Sequence, residues 1–287
     1  GINAEYGQQQ KTDEVLASIM LKSGLIDVKI KQQERKVVNG CLFIFKTQYG
    51  LNRFQNRRDI KFVVAPNLII VSQGMFSSCI NLQMVFMPKV ERIEDDNGLG
   101  SGSFYGTALT EIWFPSLKYI GTKAFCNCQQ ATILDVPLCE EINDCAFAYS
   151  VIKAVNLQHV KNLGNWVFKG CYFLKELRIP STQKIGFDVI TECATLELID
   201  CSATFLCNDQ ACVARSNCPV CRNQVQSCKK RAIFEKLDER SQTQEKLQIN
   251  VSFKQMSQKY KNKMIIKLFT IINKLIASIC EIDSGQQ

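Results

Sequence analysis

A phrase of 21 or 22 residues returns five or six times between Ile60 and Cys201. Its clearest copies are Pro115-Ser-Leu-Lys-Tyr-Ile-Gly-Thr-Lys-Ala-Phe125-Cys-Asn-Cys128 and Pro137-Leu-Cys-Glu-Glu-Ile-Asn-Asp-Cys-Ala-Phe147. A chain that repeats itself at so short a period cannot bury each unit's apolar face alone. It must stack the units, and the product is a solenoid.

Each unit has two halves. The first carries apolar residues two apart, as in Leu109/Ile112/Phe114/Pro115 and Leu174/Leu177/Ile179/Pro180, which is the mark of a short strand with one face buried. Proline then ends the ladder, because it brings no N–H. The second half is an apolar pair followed by small-aromatic, as in Leu117/Ile120/Phe125 and Val160/Leu163/Phe168. The marker positions Phe104, Phe125, Phe147, Phe168 and Ile190 step by 21, 22, 21 and 22, so the phase holds. The longer step from Phe76 to Phe104 contains the insertion Asp95-Asp96-Asn97-Gly98-Leu99-Gly100, whose glycines and acids predict an exposed loop. Cys79, Cys128, Cys171 and Cys193 each follow the marker by three residues. Equivalent positions in stacked coils point in parallel, so these cysteines read as a ladder of small core residues rather than converging ligands.

These residues resemble the BspA-like, or Treponema-type, leucine-rich repeats, whose pattern is close to L-x-x-I-x-[IV]-P-x-x-V-x-x-I-G-x-x-A-F-x-x-C. The resemblance covers about residues 60–202, roughly half the chain. Gln158 replaces a proline, Ser150 a cysteine and Ile190 the aromatic. The resemblance implies a curved, parallel-stranded leucine-rich repeat solenoid, here with α-helical flanks. It also implies an adhesive or ligand-binding role, as in bacterial surface proteins, rather than catalysis.

The flanks divide the remainder into an N-terminal cap (1–59), a Cys-rich junction (203–228) and a basic helical tail (229–287). Residues 11–23 have helical spacing and stop at Gly24, while Val28–Lys31 and Val37–Phe45 read as strands. Phe54 stands 22 residues before Phe76, so residues 40–59 read as a degenerate first repeat within the cap. In the junction, Cys218-Pro-Val-Cys221 has the spacing of a zinc knuckle, and Cys207 with Cys212 would complete four ligands. Only five residues separate Cys212 from Cys218, which leaves local disulfides and an unliganded linker open beside zinc. In the tail, Ile265, Leu268, Ile272, Leu275 and Ile279 line one helix face against Lys263, Lys267 and Lys274. Such a helix packs or self-associates, or lies peripherally on an anionic membrane.

From Lys229 onward 12 Lys/Arg stand against 6 Asp/Glu, so most of the net charge of +8 sits in the tail and no nucleic-acid partner is expected. The 15 cysteines are an odd count, and no apolar signal segment or membrane span is visible, which suggests a reducing, cytoplasmic setting or a peripheral one at the cell surface. His159 is the single histidine and sits at a coil boundary; the acid pairs Asp95-Asp96 and Glu140-Glu141 lie on turns, where solvated charge is expected. No catalytic constellation is expected.

Strand residues between core positions point outward. One outward column reads Phe86, Trp113, Asp135, Asn156, Arg178, Asp200, and its neighbour begins Met84, Glu111. Exposed aromatics on a rigid face are natural anchors for a protein ligand. The alternative is that the insertion or a flank covers Phe86 and Trp113.

Overall fold

A computed structural model of the chain describes residues 2–25, 37–98, 100 and 102–201, with side chains of the first helix described from Gln10 onward. Two compact units divide the chain, Gly1–Gln33 with Lys230–Gln287 and Glu34–Lys229.

In the first unit a single α-helix, α1, spans Ile2–Lys22, starting nine residues before the expected 11–23. It buries Val15, Leu16, Ile19 and Met20. Gly24 ends it at φ +67. Leu25 N–H donates to Met20 C=O at 3.0 Å and Gly24 N–H to Leu21 C=O at 3.1 Å, so two orphan carbonyls of the last turn are satisfied. The expected strand Val28–Lys31, the junction Cys207, Cys212, Cys218 and Cys221, and the tail helix lie outside the described residues.

The second unit is a parallel-stranded solenoid of about 7 turns. We number coils 1–7 by the marker positions Phe54, Phe76, Phe104, Phe125, Phe147, Phe168 and Ile190. Val37–Val38 pairs antiparallel with Cys41–Phe43, and Cys41–Phe43 opens a parallel series through Phe62–Val64 and Met84–Phe86. The same face continues as Glu111–Trp113 beside Ile133–Asp135, then as Ala154–Asn156, Glu176–Ile179 and Leu198–Cys201. A second, six-stranded parallel sheet of two-residue strands runs from Ile70–Val71 to Lys184–Ile185. Strand ends turn where proline was read: Leu117 N–H donates back to Phe114 C=O across Pro115, and Val90 N–H to Met87 C=O across Pro88.

Between the sheets lies one continuous core. Its spine is a column of stacked rings, Phe54, Phe76, Phe104, Phe125, Phe147 and Phe168. Their centroids lie 5.5, 5.4, 5.1, 5.5 and 5.6 Å apart, with interplanar angles of 14° or less. Beside it runs a ladder of donors. Cys79 Sγ donates to Phe54 C=O at 3.0 Å, Cys128 to Phe104 at 3.3 Å, Ser150 Oγ to Phe125 at 3.1 Å, Cys171 to Phe147 at 3.2 Å and Cys193 to Phe168 at 3.2 Å. Thr107 occupies the same position in coil 3 and bonds within its own coil, to Phe104 C=O. Burial pushes the Cys128 and Cys171 thiols up to about 12, which keeps them protonated and donating.

The turn holding each marker has left-handed residues two before and two after it: Asn52/Asn56, Gly74/Ser78, Lys123/Asn127, Cys145/Tyr149, Trp166/Gly170 and Asp188/Glu192, with Gly106 in coil 3. Glycine adopts this backbone freely and asparagine readily, whereas bulkier residues are held there at a cost of about 1–2 kcal/mol.

Candidate functional site: the strand face and its corner

The outward columns stand in register. Trp113 is paired with Asp135, Asn156 with Arg178, and Arg178 in turn with Asp200. Their surroundings differ along the solenoid. Phe86 and Trp113 are only 5% and 4% exposed, so the expectation that they stand out as anchors is corrected. They are not alone: Cys41, Phe43, Phe62 and Val64, on the same side of the strands and outside the inner core, are buried too. Period-two alternation assigns a residue to the face away from the core, but it does not say whether that face is wet. Met84 and Glu111 are half-buried beside them.

From coil 5 onward the column that held Phe86 and Trp113 becomes polar and less buried. Asp135 and Asp200 are half-buried, while Ala154 and Asn156 are exposed. Asn156 Oδ1 accepts from Gln158 Nε2. Arg178 keeps its stem against the sheet, with its side chain 17% exposed, and its guanidinium lies 3.6 Å from the Glu176 carboxylate. His159 is exposed on the turn that follows. This stretch offers one cation and several carboxylates and amides on rigid strands, an arrangement suited to recognition.

The corner at the insertion overturns a second expectation. Asp95 and Asp96 are not simply solvated turn charges. Asp95 Oδ1 accepts from Thr122 N–H at 2.8 Å, Thr122 Oγ1 at 3.1 Å and Asn143 Nδ2 at 2.9 Å, and Oδ2 accepts from Tyr119 O–H at 2.5 Å. Arg92 lies 3.6 Å above the Tyr119 ring and 3.7 Å from Asp95. Gly121 lets coil 4 pass this close, since a Cβ there would sit 2.5 Å from the Glu94 backbone. Burial alone would raise the Asp95 carboxyl, but the hydrogen bonds from Tyr119, Thr122 and Asn143 prevail and hold it below its ordinary value. Burial and the bond to Asp95 push Tyr119 up to about 12. Asp96, with no exposed side-chain surface, pairs with Lys123 Nζ at 3.1 Å, and that hydrogen bond raises the lysine. The corner therefore ties coil 3 to coils 4 and 5. Its partners lie 24–48 residues from Asp95 in sequence, so only the repeat phase could have paired them. Glu140 does behave as a surface charge, bridged to Lys161 at 2.6 Å.

Among the described residues no group of three or more His, Cys, Asp or Glu is placed to hold a metal. The zinc candidates Cys207, Cys212, Cys218 and Cys221 lie outside those residues. No described helix is long and apolar enough to cross a membrane.

Parallel coils, a stacked aromatic spine and an outward strand face define a leucine-rich repeat solenoid. The chain belongs to the BspA type leucine rich repeat region family, whose model matches residues 47–96 and 97–217 in six copies. That model describes a repeat, not a catalytic domain. No curated protein matches the chain. Among solved structures it is similar to a Treponema pallidum leucine rich repeat protein, at 22% identity over 54% of this chain and 77% of that one, with a TM-score of 0.47. It is also similar to the pneumococcal vaccine antigen PcpA, at 21% identity over 49% and 50% of the two chains, with a TM-score of 0.36. A leucine rich cell surface protein from Faecalibacterium prausnitzii matches at 19% identity over 54% and 63%, with a TM-score of 0.27. None of these likenesses bears on ligand or location.

Proposed function

We propose that the chain is a non-enzymatic interaction module that holds a protein ligand on the strand face of coils 5–7 and of the strand Leu198–Cys201 that follows them. The observation that supports this is the column Asn156–Arg178–Asp200, in register on neighbouring strands and beside Asp135, exposed or half-buried where the equivalent apolar positions of coils 1–4 are buried. Charged and amide groups in a fixed column set orientation and partner choice, and an arginine there is a natural hot spot.

The test combines Asn156→Ala with Arg178→Glu in the full chain. Partners cross-linked by the wild-type protein in its own cells are expected to be lost, with affinity for an identified partner falling by about 30-fold or more, the scale of one hot spot. Asn156 is exposed but Arg178 is only 17% exposed beside Glu176, so circular dichroism must show the variant folded before capture is read. Undiminished capture by the folded variant would remove the strand face from the proposal.

A further inference from the structure

Exposed aromatic residues are concentrated on the turns of coils 5–7. Tyr149, Tyr172, Phe173 and Phe187 are 42%, 48%, 56% and 52% exposed, and the other exposed large apolar side chains among the described residues are aliphatic. Trp166, half-buried, meets Phe187 edge to face at 4.4 Å.

Two of these aromatics occupy unfavourable backbone. Trp166 and Tyr149 have φ of 54 and 60, in the left-handed pair of positions that elsewhere holds Asn, Gly or Ser, or the non-aromatic Lys123, Cys145, Asp188 and Glu192. A large side chain in this conformation that stays at the surface recovers little of the backbone cost by burial, and such residues are where strain is kept for a ligand. Tyr149 also settles its neighbour: its ring lies over Gly170, where a Cβ would come within 2.5 Å of Tyr149 Cδ1.

Carboxylates accompany the rings. Trp166 Nε1 donates to Asp188 at 3.3 Å, and Tyr172 O–H donates to Glu192 at 3.0 Å. Asp144 stands on the coil 5 turn, accepting from Asn165 N–H at 2.7 Å. Within the turn segments themselves Lys169 is the one cation beside Asp144, Asp188 and Glu192, and the exposed Lys175 and Lys184 flank them. Ring faces beside carboxylates complement an ammonium or guanidinium group carried on an apolar stem.

We propose that the turns of coils 5–7 form a second binding surface, for a basic, extended segment of a partner protein, with Lys or Arg side chains laid over Trp166, Phe187, Tyr149 and Tyr172. This surface is separate from the strand-face column and does not depend on it. The chain's net charge of +8 works against nonspecific capture of such a peptide, so binding must be local.

The test titrates the full chain into a fluorescein-labelled peptide of alternating arginine and glycine and follows anisotropy. Saturable, salt-weakened binding is expected. The double variant Tyr149→Asn/Trp166→Asn, which gives both positions the residue type of coil 1, should lose about 10-fold or more in affinity while melting no lower than wild type. Arg178→Glu, which tests the strand face, should leave peptide binding unchanged. The proposal is overturned by absent binding, by affinity kept within about two-fold in the double variant, or by a variant that melts lower, which would make the rings packing groups. Binding of cellohexaose in place of the peptide would likewise overturn it, in favour of a carbohydrate.

Discussion

At Cys171 a single thiol hydrogen bridges two coils, because Sγ donates to the Phe147 carbonyl of the coil before. What this position requires is a small donor. Cys171→Ser should stay within about 1 kcal/mol of wild type, whereas Cys171→Ala should lose about 1–3 kcal/mol in urea unfolding, through the missing bond and the void. Equal losses for the two would show that volume alone matters. The sequence had shown the ladder's spacing and its core character. It had not shown the donor role, because Ser150 looked like a departure in a column of cysteines when its chemistry is the same. Phe86 and Trp113 were misread for a different reason. Alternation orders the two faces of a strand, but it does not say which of them is wet.

The corner of coil 3 is where the acidic insertion becomes an element in its own right. Asp95 ties three successive coils together, and its carboxyl is held below the ordinary 3.8. A carboxyl depressed on folding stabilises above its unfolded value, and that stabilisation fades as pH falls through the lower, folded value. Asp95→Asn should therefore cost most near neutral pH, and the gap between variant and wild type should close below about pH 4. Urea midpoints at pH 7, 5 and 3 provide the check, and a gap independent of pH would assign the clamp to shape rather than charge. The insertion itself was legible from its glycines. The clamp was not, since a carboxylate pair on a turn is ordinarily wet and its donors Tyr119, Thr122 and Asn143 belong to later coils.

Apart from the bond of Asn143 to Asp95 two coils away, the stacking contacts run between neighbouring coils, so coupling is carried by the stacks between them. Phe125 sits mid-column, 5.1 Å from Phe104 and 5.5 Å from Phe147 and nearly coplanar in orientation with both. Phe125→Ala should cost about 3–5 kcal/mol. It should also let coils 1–3 and coils 5–7 open separately in native-state hydrogen exchange. A single global opening, as cooperative as wild type, would mean that the sheets rather than the rings transmit stability. This architecture was the most legible feature of the chain, because phase survives wherever stacking is obligatory. Register also survives the insertion: Arg92 and Ile93 pair with Tyr119 and Ile120 across the longer coil just as Ile70 and Val71 pair with Arg92 and Ile93 across an ordinary one. Coil length and coil alignment are thus uncoupled at this corner. With Asp95 and Asp96 pinned to coil 4, the extra length is absorbed at the corner while the storeys above and below stay level.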